Sequence, residues 1–200
     1  MYSITIGLSH PINIKIMCNT CQNCYLTIKN NRTAGRGVGQ TPTLAPTILF
    51  IGDCPSVLDY KNQQPFTGRN SKILTEYILK YKLGLWSYVT NIIQCNCPEP
   101  NNDYAEKCFP NLIETIRNTK PVLIITVGTF AYRFLKEDNT RSMKYVVNKL
   151  TTFNNSLLLP IYSPSYITKS KVFGEYDKSF KLISNIFADI CKEYRWIKPE

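Results

Sequence analysis

The chain alternates short apolar runs with segments of helical spacing. Four runs, Ile48–Ile51, Ser87–Ile93, Val122–Val127 and Leu157–Ile161, have the length and apolar density of buried strands. Between them, Lys72–Tyr81 places Ile73, Leu74, Tyr77, Ile78 and Tyr81 on one helical face, and Tyr104–Arg117 does the same with Cys108, Leu112, Ile113 and Ile116. A short helix is expected over Thr129–Lys136 and a long amphipathic one over Ser179–Trp196. Strands that alternate with helices imply an α/β fold, a three-layer αβα sandwich around a central, mostly parallel four-stranded sheet.

In such sheets the loops after the strands carry the function. The stretch Thr47 to Leu74, TILFIGDCPSVLDYKNQQPFTGRNSKIL, is the most telling. Its strand stops at Gly52, and a Gly/Pro loop follows before a helix that opens near Asn70–Ser71. The loop places an acid, Asp53, beside the strand end and holds an aromatic, Phe66, between Pro65 and Gly68, as suits a pocket for a flat polar ring. Asn91 and Cys95 come at and after the second strand, Gly128 and Thr129 after the third, and Ser163 to Tyr166 after the fourth. The topology brings these loops together.

Composition narrows the class. Two hundred residues, 44% of them hydrophobic, suit one domain spanning 1–200, with an N-terminal arm over about 1–17 and an irregular loop over 18–46. No apolar run approaches the ~20 residues that cross a bilayer, and the N-terminus has no signal-peptide pattern. A cytoplasmic or nucleoid-associated protein of cellular or viral origin is expected, acting as a monomer without a membrane. The net charge of +10 favours an anionic partner, most simply a nucleic acid, though a solvated basic surface gives the same count.

Eight cysteines in such a chain argue for metal rather than disulfides. Cys18, Cys21 and Cys24 form two overlapping CxxC spacings, Cys95 and Cys97 a CxC, and Cys108 lies on the next helix. These six offer more thiolates than the four that zinc or an iron–sulfur cluster takes. Cys54 and Cys191 read as buried free thiols.

Several ordered blocks resemble the family-4 uracil-DNA glycosylases, the iron–sulfur branch of that superfamily. CQNCYL (21–26) is similar to the family's CxxCxL, GDCPS (52–56) to GEAPG, and QPFTGR (64–69) to RPFVGR. YVTNIIQC (88–95) is similar to TNVVKC. CFPNL (108–112) with KPVLIITVGTFA (120–131) resembles the fourth-cysteine helix and the KPxxIVxLGxxA turn, and SPSYI (163–167) resembles HPSYL. The resemblance spans about residues 18–168.

It implies a DNA glycosylase that flips uracil or a modified pyrimidine out of single- or double-stranded DNA and excises it, leaving an abasic site. It implies a [4Fe–4S] cluster on Cys21, Cys24, Cys95 and Cys108, with zinc as the alternative and Cys18 and Cys97 spare. Phe66 would stack on the flipped base beside Gly52, and Asn91 would read its edge, since a carboxamide matches the N3–H and O4 of a pyrimidine. A core position is the alternative for Phe66, though its Pro/Gly frame and loop place favour the pocket, and without the resemblance Asn91 fits a turn cap equally. Arg69, Ser165, Tyr166, Ile167, Lys169 and Lys171 would face DNA, with Tyr166 or Ile167 as the wedge that fills the vacated stack.

Two positions depart from the pattern. Asp53 stands where the family has Glu, a carboxylate one methylene shorter that can orient water or stabilise a cationic sugar. Ser163 stands where the family has His, a donor to the departing base that is shorter and uncharged. The only histidine, His10, lies far from this motif. The departures admit a second function, a catalytically silent DNA- or protein-binding module of the same fold in replication or defence.

Overall fold

The computed structural model describes residues 24–26, 38–39 and 45–197. Cys18, Cys21, His10 and the expected arm over 1–17 lie outside these residues, as does most of the expected loop over 18–46.

Four parallel strands form the centre of the sheet: β2 (Thr47–Gly52), β3 (Ser87–Asn91), β4 (Pro121–Val127) and β6 (Ser156–Ile161). Two short antiparallel strands, β1 (Val38–Gly39) and β5 (Thr151–Phe153), close the edges, so the order is β1-β3-β2-β4-β6-β5. The sheet thus has six strands where the sequence predicts four. The two additions are two and three residues long, too short to carry an alternation signal.

Alternate residues of the strands feed two apolar layers, as the period of two requires. On one face, Leu49, Ile51, Ile124 and Leu158 pack with α3 (Asn102–Thr119), α4 (Thr129–Lys136) and α5 (Met143–Val146). On the other, Ile48, Phe50, Leu123, Ile125, Leu159 and Ile161 pack with α2 (Lys72–Lys80), α6 (Pro164–Ser170) and α7 (Phe173–Ile197). This is the expected αβα sandwich. A further short helix, α1 (Val57–Asn62), lies in the loop after β2.

Two stretches differ from the sequence reading. The SPSYI segment is a helix, α6, because Ser163 caps it and Pro164 occupies its first turn, where a missing N–H costs nothing. The C-terminal helix begins at Phe173, six residues before the expected start. Among the described residues, no helix is long and apolar enough to cross a membrane.

Candidate active site

The chain leaves β2 toward β3 on one side and, from β4, toward β6 on the other, which makes the gap between the carboxyl ends of β2 and β4 a topological switch point. Register places the strand ends level: Gly52 opposite Asn91, Ile51 opposite Thr126, and Val127 opposite Ile161. Asp53 and Gly128 flank the gap.

Gly52 is where the first wall closes. A Cβ on it would lie 2.5 Å from Phe66 Cζ and 2.6 Å from Asn91 Oδ1, so the aromatic edge and the carboxamide meet over a bare backbone. Both side chains are shielded from solvent, Phe66 at 9% exposure and Asn91 at 2%. Phe66 has a φ of 60°, a left-handed conformation that costs a non-glycine residue about 1 kcal/mol or more. Asp59 holds that conformation. Its Oδ1 accepts the N–H groups of Thr67 at 2.5 Å and Gly68 at 2.9 Å, and its Oδ2 accepts the N–H of Ser56 at 2.8 Å.

The second wall is acidic. Asp53 Oδ1 accepts the Ala131 N–H at 2.9 Å. Helix α4 has glycine at its N-cap and no capping side chain of its own, so Asp53 satisfies one of its free donors from outside. Burial pushes the Asp53 carboxyl up to about 6, and the Ala131 hydrogen bond only partly opposes this. Gly128, at φ 112°, makes room: a Cβ there would lie 3.1 Å from Asp53 Oδ2 and 3.4 Å from Ser163 Cβ. Asp53 and Ser163 therefore both border the space that Gly128 leaves open. Ser163 Oγ accepts the Tyr166 N–H at 3.3 Å as the cap of α6, and among the described residues no acceptor takes its proton.

The uracil DNA glycosylase superfamily model matches residues 38–190, every strand and loop of this site included. The chain belongs to the uracil-DNA glycosylase superfamily. It is similar to the Type-4 uracil-DNA glycosylase of Saccharolobus solfataricus, with 31% identity over 159 residues, 72% of this chain and 71% of the relative. It is similar to the enzyme of the same name from Sulfurisphaera tokodaii, 29% identical over 186 residues covering 87% of this chain and 76% of the relative. The Type-4 uracil-DNA glycosylase of Thermotoga maritima is 25% identical over 186 residues, 90% of this chain and 91% of the relative.

In this superfamily member five of the six described cysteines gather on one face of the sheet, and Cys191 packs on the other. Cys24, Cys95, Cys97 and Cys108 are all buried in the layer under α3, and Cys54 packs against it. Cys97 interacts with Cys54 through its thiol and its backbone N–H. The thiol hydrogen bond is the main influence holding Cys54 below the ordinary thiol range. Donating that bond, then burial and the fields of Cys108 and Cys95, push Cys97 up. Asn96 Nδ2 donates to Pro55 O at 2.8 Å, so the loops after β2 and β3 are tied beside this pair. Cys97 is thus engaged with Cys54. Cys54 and Cys191 are half-buried, not buried. Among the described residues, no three His, Cys, Asp or Glu side chains form a ready metal-holding group.

The residues expected to face DNA divide. Ser165, Arg69, Lys169 and Lys171 are exposed, and none is ion-paired among the described residues. Tyr166 is 46% exposed and stacks on Tyr162 with ring centroids 4.6 Å apart. Ile167 corrects the reading: it is 0% exposed and packs in the core with the α7 layer, so it has no surface to insert into DNA. On a helix, Pro164 and Ile167 lie three apart and turn inward together.

Sequence reasoning missed Asp59. Its signal was the spacing Ser56-x-x-Asp59, a capping box, which reports the local turn but not the reach to Thr67 and Gly68.

Proposed function

We propose that the chain is a monofunctional DNA glycosylase that takes uracil out of the DNA stack and hydrolyses its N-glycosidic bond, leaving an abasic site. The observation that carries this reading is the meeting of Phe66 and Asn91 over Gly52, next to the half-buried carboxylate of Asp53, in a chain whose similar proteins are named uracil-DNA glycosylases.

Each residue has a task in this reading. Phe66 stacks on the flipped ring; base–aromatic stacking contributes about 1–3 kcal/mol. Asn91 accepts from the pyrimidine N3–H and donates to O4. As the C1′–N1 bond breaks, its electron pair leaves with the base, and the sugar becomes cationic. Asp53, ionised above about pH 6, stabilises that cation and takes a proton from the water that adds to C1′. Ser163 has its proton free to donate to the base. Uracil is the first substrate, and a modified pyrimidine fits the same contacts.

The proposed DNA face comprises Arg69, Ser165, Tyr166, Lys169 and Lys171, which would hold phosphates and fill the vacated stack on single- or double-stranded DNA. The residues proposed to hold a [4Fe–4S] cluster are Cys21, Cys24, Cys95 and Cys108. The chemistry of the donors fits: the three described members are thiols in one apolar layer, as a soft, thiolate-bound centre requires. Zinc is the alternative metal. Bound there, the group would join the N-terminal segment to the β3 loop and α3. The protein is read as a single-domain cytoplasmic or nucleoid-associated monomer.

The test is a base-release assay on uracil-containing single- and double-stranded oligonucleotides, followed by strand cleavage at abasic sites. Release by the wild-type chain and its loss in Phe66→Ala support the proposal. Tight, salt-sensitive DNA binding with no abasic product from any pyrimidine would replace it with the silent binding module.

A further inference from the structure

A departing base carries the electron pair of the broken bond, so the site that releases it needs positive charge or strong donors close by. At the strand ends, Asn91 and Ser163 are neutral and Asp53 is an acid. A cleft of about 270 Å³ opens from Ser163 and is lined by Thr129, Ser142, Met143, Lys144, Tyr162 and Tyr166. Lys144 is the one charged residue in that lining.

Its surroundings leave it available. Met143 and Val146, its neighbours on α5, are buried and fix the turn, while Lys144 is exposed. Among the described residues it has no carboxylate partner. Its ammonium rests over the Tyr145 ring, 4.7 Å from the centroid, an attraction of about 0.5–1 kcal/mol at an exposed position that a full negative charge outcompetes. The nearby Arg141 is engaged instead, with Nε 3.2 Å from Asp138 Oδ2.

We propose that Lys144 is the cation that stabilises the departing base across the Ser163 cleft. This rests on the glycosylase reading above. The long stem of lysine lets the ammonium leave Tyr145 and enter the cleft when DNA is bound, which supplies the charge that Ser163 lacks.

The test compares Lys144→Gln and Lys144→Arg with wild type on DNA carrying uracil or 5-fluorouracil. 5-Fluorouracil is the more acidic leaving group and needs less help. Lys144→Gln is expected to lower kcat on uracil by about 10²-fold, with a clearly smaller loss on 5-fluorouracil and little change in KM. Lys144→Arg is expected to restore most of the rate. The position is exposed, and a thermal melt checks that the variants fold. Equal losses on the two bases, a loss confined to KM that fades at low salt, or unchanged release would overturn the proposal; the second would make Lys144 a phosphate contact. If the wild type releases neither base, the glycosylase reading fails first and the proposal with it. Release by wild type that Lys144→Gln matches defeats the proposal alone.

Discussion

Phe66 Cζ lies 2.5 Å from the point where a Cβ on Gly52 would sit, so the aromatic ring occupies the space that a side chain there would need. The same point is 2.6 Å from Asn91 Oδ1. Gly52→Ala must therefore displace both residues. It is expected to cost about 1–3 kcal/mol by overpacking and to abolish base release while the fold survives. Thermal melts paired with release assays check it; an active Gly52→Ala enzyme would show that this close approach is not part of the pocket.

Asp53 gives a pH dependence with a definite sign. Its folded-state carboxyl is raised from 3.8 to about 6 by burial, so between these values the folded state binds more protons than the unfolded one. Stability contributed by this group is therefore highest in acid, falls as pH rises through that window, and is constant above it. The change is on the order of 3 kcal/mol. Base release should run the opposite way, rising through about pH 6 as the carboxylate forms. Urea titrations and rate profiles of wild type and Asp53→Asn check both: the variant should lose this fall in stability across the window and be inactive.

Asp59 makes its contribution at a distance from the chemistry. Asp59→Ala would leave the N–H groups of Ser56, Thr67 and Gly68 without their acceptor and release the left-handed Phe66. A loss of about 1–3 kcal/mol in urea unfolding is expected, because the Gly68 N–H is stranded in a buried position, while those of Ser56 and Thr67 are part-buried and regain water. Base release should fall alongside it, whereas Asp59→Asn, which retains one acceptor oxygen, should lose less of both.

The cysteines separate by role under substitution. Protein with a four-thiolate iron–sulfur centre is brown and absorbs near ~400 nm. Cys95→Ala or Cys108→Ala should lose that absorption and lower the melting temperature, while Cys97→Ala should keep the colour. A colourless wild type with stoichiometric zinc would shift the assignment to the alternative metal.

The strands and helices that position the site were legible because they are long and apolar enough to show their period. Thr129–Lys136 was read to the residue. The edge strands were not, because two or three residues carry no alternation. Ser163 to Tyr166 read as a loop, but with Ser163 as cap and Pro164 in the first turn the segment starts a helix, and that turn buries Ile167. At the site, Gly52, Phe66 and Asn91 could be grouped because each follows or ends a strand in a parallel sheet. The part played by Asp59 could not, because its oxygens reach backbone groups eight and nine residues away that no spacing rule links to it. Lys144 was equally hidden, since only the fold brings α5 beside the start of α6.

The sheet keeps the sulfur layer and the Phe66 layer on opposite faces, and the two approach each other at Asp53–Cys54. On the proposed cluster assignment, this partition would make dependence on a metal and choice of a base separable traits. A lineage short of iron could exchange the buried thiols for aliphatic side chains one layer at a time, with its reading of DNA bases left intact. Designers could use the same division to build a metal-free version, provided the junction at Cys54 is repacked last.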